Sequence, residues 1–252
     1  KPSNNRSVAP SGSASTLNFW RRPSFFQTSS NGLASGNTAA EARLHAIYEL
    51  IERDAMCALS ERGRINLGAR AHVIDPDSVT FPLARLIIDR CHAQDIRVVL
   101  VALPAAAAVS AIWAIFRSQR SVSTRSLVNM GWGAHVDPEV AVVRALTEAA
   151  QTRLAKIHGA RDDIRLRIGT DKNSRPYRVL ECLTPNTGWQ WVEARPRLDL
   201  PSAPEAAVAR LVDELIRTGK GPIYDFDMGN PEKHLSCVRI VAPRLAFRKA
   251  LF

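Results

Sequence analysis

The sequence predicts a mixed α/β protein in which helices pack on sheets. Three observations carry that prediction. Two stretches, Thr38 to Ala55 and Asp137 to Ile157, combine a helix-start signature with apolar residues at helical spacing. Two others, Arg97 to Leu103 and Ser110 to Phe116, are uncharged inside and rich in β-branched residues, as buried strands are. The carboxyl-terminal third then alternates short strand-like runs with a clear amphipathic helix.

The first helix is the best marked. A Ser/Asn/Gly-rich stretch, Ser29 to Asn37, reads as a turn, and Thr38 followed by Glu41 makes a capping box. At about 100° per residue, Glu41, His45, Glu49 and Glu52 share one strip while Leu44, Ile47, Leu50 and Ile51 fall on the other side. Arg43 and Arg53 are placed off the acidic strip. Carboxylates crowded in this way either form a solvated acidic face or hold a hard cation such as Mg²⁺, which takes one or two carboxylates together with phosphate oxygens.

In chain order, Arg62 to Arg70 reads as a polar connection. Asp75-Pro76-Asp77 then reads as a helix start, with Leu83, Leu86, Ile87 and Ile88 as the apolar side up to Cys91. Val98 to Phe116 is uncharged and near the minimum length of a membrane span. Its alanine-rich centre beside Pro104 and its β-branched ends favour two strands joined by a turn. Arg117 to Asn129 reads as an exposed basic loop.

The second informative helix has Asp137 as N-cap, Pro138 at its first position and Gly159 as its stop. Before it, Gly131 and Gly133 permit a close backbone approach. Val140, Val143, Leu146, Ala150, Leu154 and Ile157 are expected on the core side; Arg144, Glu148, Gln151 and Thr152 lie opposite. Further on, Tyr177 to Leu183 and Trp189 to Ala194 read as a strand pair and Pro204 to Thr218 as a helix. Ile223 to Phe226 and Ser236 to Val241 read as strands, with Asp225 and Asp227 as surface loop acids.

Composition narrows the class. The 252 residues suffice for a sizeable core, and 34 basic against 24 acidic residues leave a formal charge of +10, which suits an anionic ligand. The arginines are dispersed, with no basic run interleaved with aromatics, so nucleic acid is not the favoured partner. Cys57, Cys91, Cys182 and Cys237 lack metal or disulfide spacing and read as reduced, buried thiols of a cytoplasmic protein. Neither a P-loop nor a GxGxxG motif occurs, so a nucleotide site must be of another kind.

The blocks SSNGLASGNTAAEARLHAIYELIERDA and GWGAHVDPEVAVVRALTEAAQTRLAKIHGARDD together resemble the two signature blocks of the YcaO family, particularly its TfuA-associated members. The resemblance implies an α/β fold with mixed sheets packed by helices, two of which carry an ATP and Mg²⁺ site. It places Glu49, Glu52 and Glu148 as metal ligands and Ser30, Asn31, Gln151 and Arg161 as nucleotide contacts, with Glu41 and His45 in support; no side-chain nucleophile is implied. It further implies ATP-dependent activation of a peptide backbone amide, giving an azoline ring or a thioamide. The partners expected are a ribosomally made peptide or protein, a TfuA-like protein and a second copy of the chain. Residues 1–18 are expected to be a disordered or truncated lead, and 19–252 a partial YcaO domain. The alternative is an inactive remnant that binds a peptide or partner.

Overall fold

A computed structural model describes residues 29–61, 64–65, 72–118, 128–158, 180, 183–230 and 235–247. The chain divides into two compact units, Lys1–Ser30 and Asn31–Phe252. Everything below except Ser30 belongs to the second.

Its centre is a four-stranded sheet. β4 (His72–Ile74), β5 (Ile96–Leu103), β6 (Ser110–Ser118) and β7 (Val128–His135) stand in chain order, each antiparallel to the next. The uncharged Val98 to Phe116 stretch is thus a hairpin. No helix among the described residues is long and apolar enough to cross a membrane. Because successive strand side chains point to opposite faces, Val98, Leu100 and Ala102 serve one core while Val99, Val101 and Leu103 serve another. Both rows are apolar since both faces are covered.

On one face lie α2 (Pro82–His92) and α3 (Pro138–His158). On the other lies α1 (Ala39–Ala58), backed by α5 (Pro204–Arg217) and by a three-stranded sheet in the order β1 (Leu33–Gly36), β9 (Ser236–Val241), β8 (Tyr224–Asp227). All its pairings are antiparallel. A small hairpin, β2 (Ser60–Glu61) with β3 (Arg64–Ile65), follows α1, and α4 (Trp189–Glu193) is a single short turn of helix. Asp54 ties α1 to the end of the chain, accepting from Lys220 Nζ at 2.8 Å and from Ala246 N at 2.7 Å.

Several elements differ from their sequence reading. The stretch Ser29 to Asn37 contains a strand, β1, because Leu33–Gly36 finds a ladder on β9 more than two hundred residues away. Asp75 caps only a 3-10 turn, Pro76–Ser78; α2 begins at Pro82, and it buries Ala84, Ile88 and Cys91 while leaving Leu83 and Leu86 exposed. Trp189–Glu193 is helical, with Trp189 buried edge-on to Phe81. Its expected partner falls mostly outside the described residues, as do Gly159 and 119–127. Asp225 and Asp227 lie on β8, where Asp225 pairs with Arg43 at 2.5 Å. Of the described cysteines only Cys91 is buried; Cys57 and Cys237 are partly exposed.

The largest correction concerns α3. Its buried side is Ala141, Val142, Ala145, Leu146 and Ala149, and Val140, Leu154 and Ile157 face solvent. Small residues win because the helix lies almost on the backbone of β7. A Cβ at Gly131 would collide with Ala149 N and Ala145 O, and one at Gly133 with Ala141 O. What the glycine pair approaches is therefore the helix itself.

Candidate functional site

Among the described residues β7 is the last strand of its sheet, and α1 and α3 flank it from opposite faces. Their polar strips consequently meet around its outer edge. There Glu49, Glu52, Arg53 and His45 of α1, Arg144, Thr147, Glu148 and Gln151 of α3, Trp132 of β7 and Ala34 of β1 line one cavity of about 420 Å³. The backbone of the edge strand takes part directly: Trp132 N–H donates to a Glu148 carboxylate oxygen at 2.5 Å.

The carboxylates are electrostatically unusual. Burial pushes Glu52 up to about 7, and the facing Glu148 carboxylate adds to the rise. Glu49 and Glu148 are also raised, first by burial; Arg53 and the Gly32 backbone hold Glu49 back, and the Trp132 N–H holds Glu148 back. Three acids that resist ionisation together are stabilised by positive charge brought among them. Arg53 supplies part of it, 3.8 Å from Glu49, and Arg144 lines the same cavity. The placement of Arg53 away from the acids is thereby corrected: one helical turn links it to Glu49.

The donor set tests whether a metal nucleotide suits this cavity. Among the described residues no three His, Cys, Asp or Glu side chains gather closely enough to enclose one ion by themselves. Mg²⁺ asks for less, typically one or two carboxylates with the remaining positions filled by phosphate oxygens and water. Hard carboxylate oxygens beside two guanidinium groups meet that requirement, the acids toward the metal and the arginines toward phosphate.

Of the residues that the sequence singles out, Glu49, Glu52, Glu148 and Gln151 come together here, and His45 joins them. Asn31 is half-buried outside the lining, next to Gly32, whose backbone bonds Glu49. Ser30 is exposed in the first unit, and Arg161 lies outside the described residues. Glu41 belongs elsewhere. Thr38 caps α1 by accepting from Glu41 N at 3.1 Å, while the Glu41 carboxylate accepts from Asn37 N at 2.8 Å, one residue before the position a capping box predicts. Those Asn37 bonds hold Glu41 below the ordinary carboxylate value.

Sequence reasoning puts Arg144 on the polar strip with Glu148 and Gln151 without naming it as a site residue, and it misses Arg53, Thr147 and Trp132. A signal exists for the arginines, each four residues from a selected glutamate. Trp132 has none, because only the packing of α3 on β7 brings its N–H to Glu148.

The profile described as YcaO cyclodehydratase, ATP- and Mg²⁺-binding, matches residues 9–246. The chain belongs to the YcaO family. A protein encoded in the tfuA 3′ region of Rhizobium leguminosarum bv. trifolii is 32% identical over 230 residues, covering 89% of this chain and 54% of that protein. The chain therefore spans about half of that relative's length. Among solved structures, the heterocyclase TruD superimposes with a TM-score of 0.69 at 25% identity, over 92% of this chain and 32% of that one. YcaO from Methanopyrus kandleri, bound with AMPPCP and Mg²⁺, has a TM-score of 0.68 at 23% identity, over 87% of this chain and 57% of that one, and shares the fold.

The raised Glu52 value makes stability depend on pH. Its folded-state value, about 7, lies above the ordinary 4.5. Its contribution is fully present below pH 4.5 and is lost as the pH rises through 7, a loss of about 3 kcal/mol. The metal-free protein should therefore melt several degrees lower near pH 8 than near pH 5. Differential scanning fluorimetry on wild type and Glu52→Gln checks this, since the variant should lose most of the dependence. Parallel profiles would refute the buried-acid account.

Proposed function

We propose that this chain forms the nucleotide site of an ATP-dependent enzyme that activates a backbone amide in a ribosomally made peptide or protein. The observation that carries the proposal is the convergence of Glu49 and Glu52 from α1 with Glu148 and Gln151 from α3 on one cavity also lined by two arginines. Membership of an ATP- and Mg²⁺-binding family supports the same reading.

In this reading Glu49, Glu52 and Glu148 supply carboxylate ligands to Mg²⁺, one or two to an ion, and Gln151, Asn31, Ser30 and Arg161 contact the nucleotide. The bound ion supplies charge neutralisation on the transferring phosphate. Arg53 and Arg144 add fixed positive charge where the phosphates lie, and the Trp132 N–H keeps Glu148 aimed at the cavity. A nucleophile adds to the amide carbonyl and loses its proton, the oxyanion takes the γ-phosphoryl group of ATP with release of ADP, and phosphate departs with the former amide oxygen as a second proton leaves the adduct. The chain has to position the amide and screen charge, which requires no nucleophilic side chain.

The finer assignments belong to the same proposal. The tfuA-region relative favours a TfuA-like partner and a thioamide product; a neighbouring Cys, Ser or Thr in the substrate would give an azoline instead. The cytoplasm is the expected compartment, and residues 19–252 the expected domain.

Isothermal titration of MgATP into wild type and Glu49→Ala is the test. Loss of one ligand should weaken binding by about 10- to 100-fold, and equal heats would overturn the assignment. Phosphate release measured with and without a precursor peptide separates an active enzyme from a remnant that only binds.

A further inference from the structure

One side chain that lines the cavity has no part in the chemistry described so far: the indole of Trp132. Its placement follows from alternation along β7. Gly131 and Gly133 turn toward α3, where a Cβ on either would strike helix backbone, so Trp132 between them stands on the opposite face, the one that α1 covers. There it is half-buried against the core of that face. Its registered neighbour on β6 is the buried Trp113, and the two rings lie nearly parallel, with an interplanar angle of 6° and centroids 6.3 Å apart.

Parallel, offset packing at this separation is a favoured arrangement of aromatic pairs. Trp113 therefore fixes the tilt of the Trp132 ring from the β6 side and makes it a rigid plane. On the other side no strand of this sheet follows among the described residues, and Trp132 shares the cavity lining with Glu49, Glu52, Arg53 and Arg144. A rigid aromatic plane suits a second flat ring, and the guanidinium groups suit an anion. The volume of about 420 Å³ is that of one small-molecule site, so a single ligand has to meet both demands. Bare polyphosphate lacks the ring, and a peptide backbone lacks the charge. A nucleotide carries both.

We propose that the Trp132 indole stacks on the base of the bound nucleotide, extending the pair it forms with Trp113 by a third ring. Taking the ligand to be a nucleotide rests on the proposed function; the assignment of Trp132 to its base is added to it. Stacking engages the flat face of a base and not its hydrogen-bonding edge. Trp132 thus favours a nucleotide over bare polyphosphate without choosing among bases. The backbone of the same residue has a separate role, its N–H donating to Glu148, and a change of side chain leaves that donor in place.

The test is isothermal titration of MgATP and, separately, of magnesium tripolyphosphate into wild type, Trp132→Leu and Trp132→Phe. Leucine keeps an apolar group against Trp113 but offers no aromatic face. Trp132→Leu should weaken MgATP binding by about tenfold or more and leave tripolyphosphate binding unchanged, which also reports an intact fold. Trp132→Phe should bind MgATP nearly as tightly as wild type. A fluorescence signature accompanies the titrations: MgATP should quench part of the tryptophan emission of wild type, tripolyphosphate should not, and Trp132→Phe should bind MgATP without that quench. The stack is overturned if Trp132→Leu binds MgATP as wild type does or loses both ligands together, or if the quench persists in Trp132→Phe. Wild type that binds neither ligand would instead remove the nucleotide site itself, so the two failures are read separately.

Discussion

Glu148→Gln should leave the fold intact and lower ATP turnover by at least about 100-fold. The amide oxygen can still accept from Trp132 N–H, so the contact between α3 and the edge of β7 survives. What disappears is the negative charge that the proposed function directs at Mg²⁺. Removing a carboxylate whose ionisation is already opposed by burial should also raise the melting temperature of the metal-free protein slightly. Glu148→Ala separates the two roles: it should lose activity to the same degree and also free the Trp132 N–H, with a small loss of stability. Phosphate-release kinetics and melting curves on the same preparations check both variants. Near-wild-type turnover in Glu148→Gln would remove this residue from the metal site.

Gly131→Val should prevent folding or reduce stability by about 3 kcal/mol or more. The atoms a side chain would meet are Ala149 N, Ala145 O and Glu148 C, all backbone of α3, which cannot rotate out of the way. Gly133 stands in the same relation to Ala141 O. Either substitution should lever α3 away from β7 and carry Glu148 out of reach of Glu52. Gly219→Ala supplies the contrast, since a Cβ there meets no atom nearby. It should show only the modest strain of a positive φ, about 1 kcal/mol. Urea denaturation of Gly131→Val, Gly133→Val and Gly219→Ala measures the difference. Equal midpoints for Gly131→Val and wild type would mean that the helix is not seated where the glycines place it.

Much of the site is legible in the residue spacing itself. The ExxE spacing Glu49 to Glu52 and the ExxQ spacing Glu148 to Gln151 each put two cavity-lining residues on one helical face, and helical periodicity is a local property. Caps are local too, which is why Thr38 and Asp137 mark their helices correctly. Burial is not local. Val140, Leu154 and Ile157 resemble the core side of α3 because they are large and apolar, yet the glycines of β7 reward alanines with close approach and leave the larger residues outside. Leu83 and Leu86 on α2 mislead in the same way.

The amino-acid order alone dictated the helix starts, the β5 and β6 hairpin and the faces that carry the acids, since each depends on neighbours a few positions away. Folding in three dimensions settled that β7 lies between a helix on either face, that Leu33–Gly36 joins β9, and that Glu52 is buried facing Glu148. Those outcomes depend on contacts between residues far apart in the chain, whose free energy no local pattern encodes.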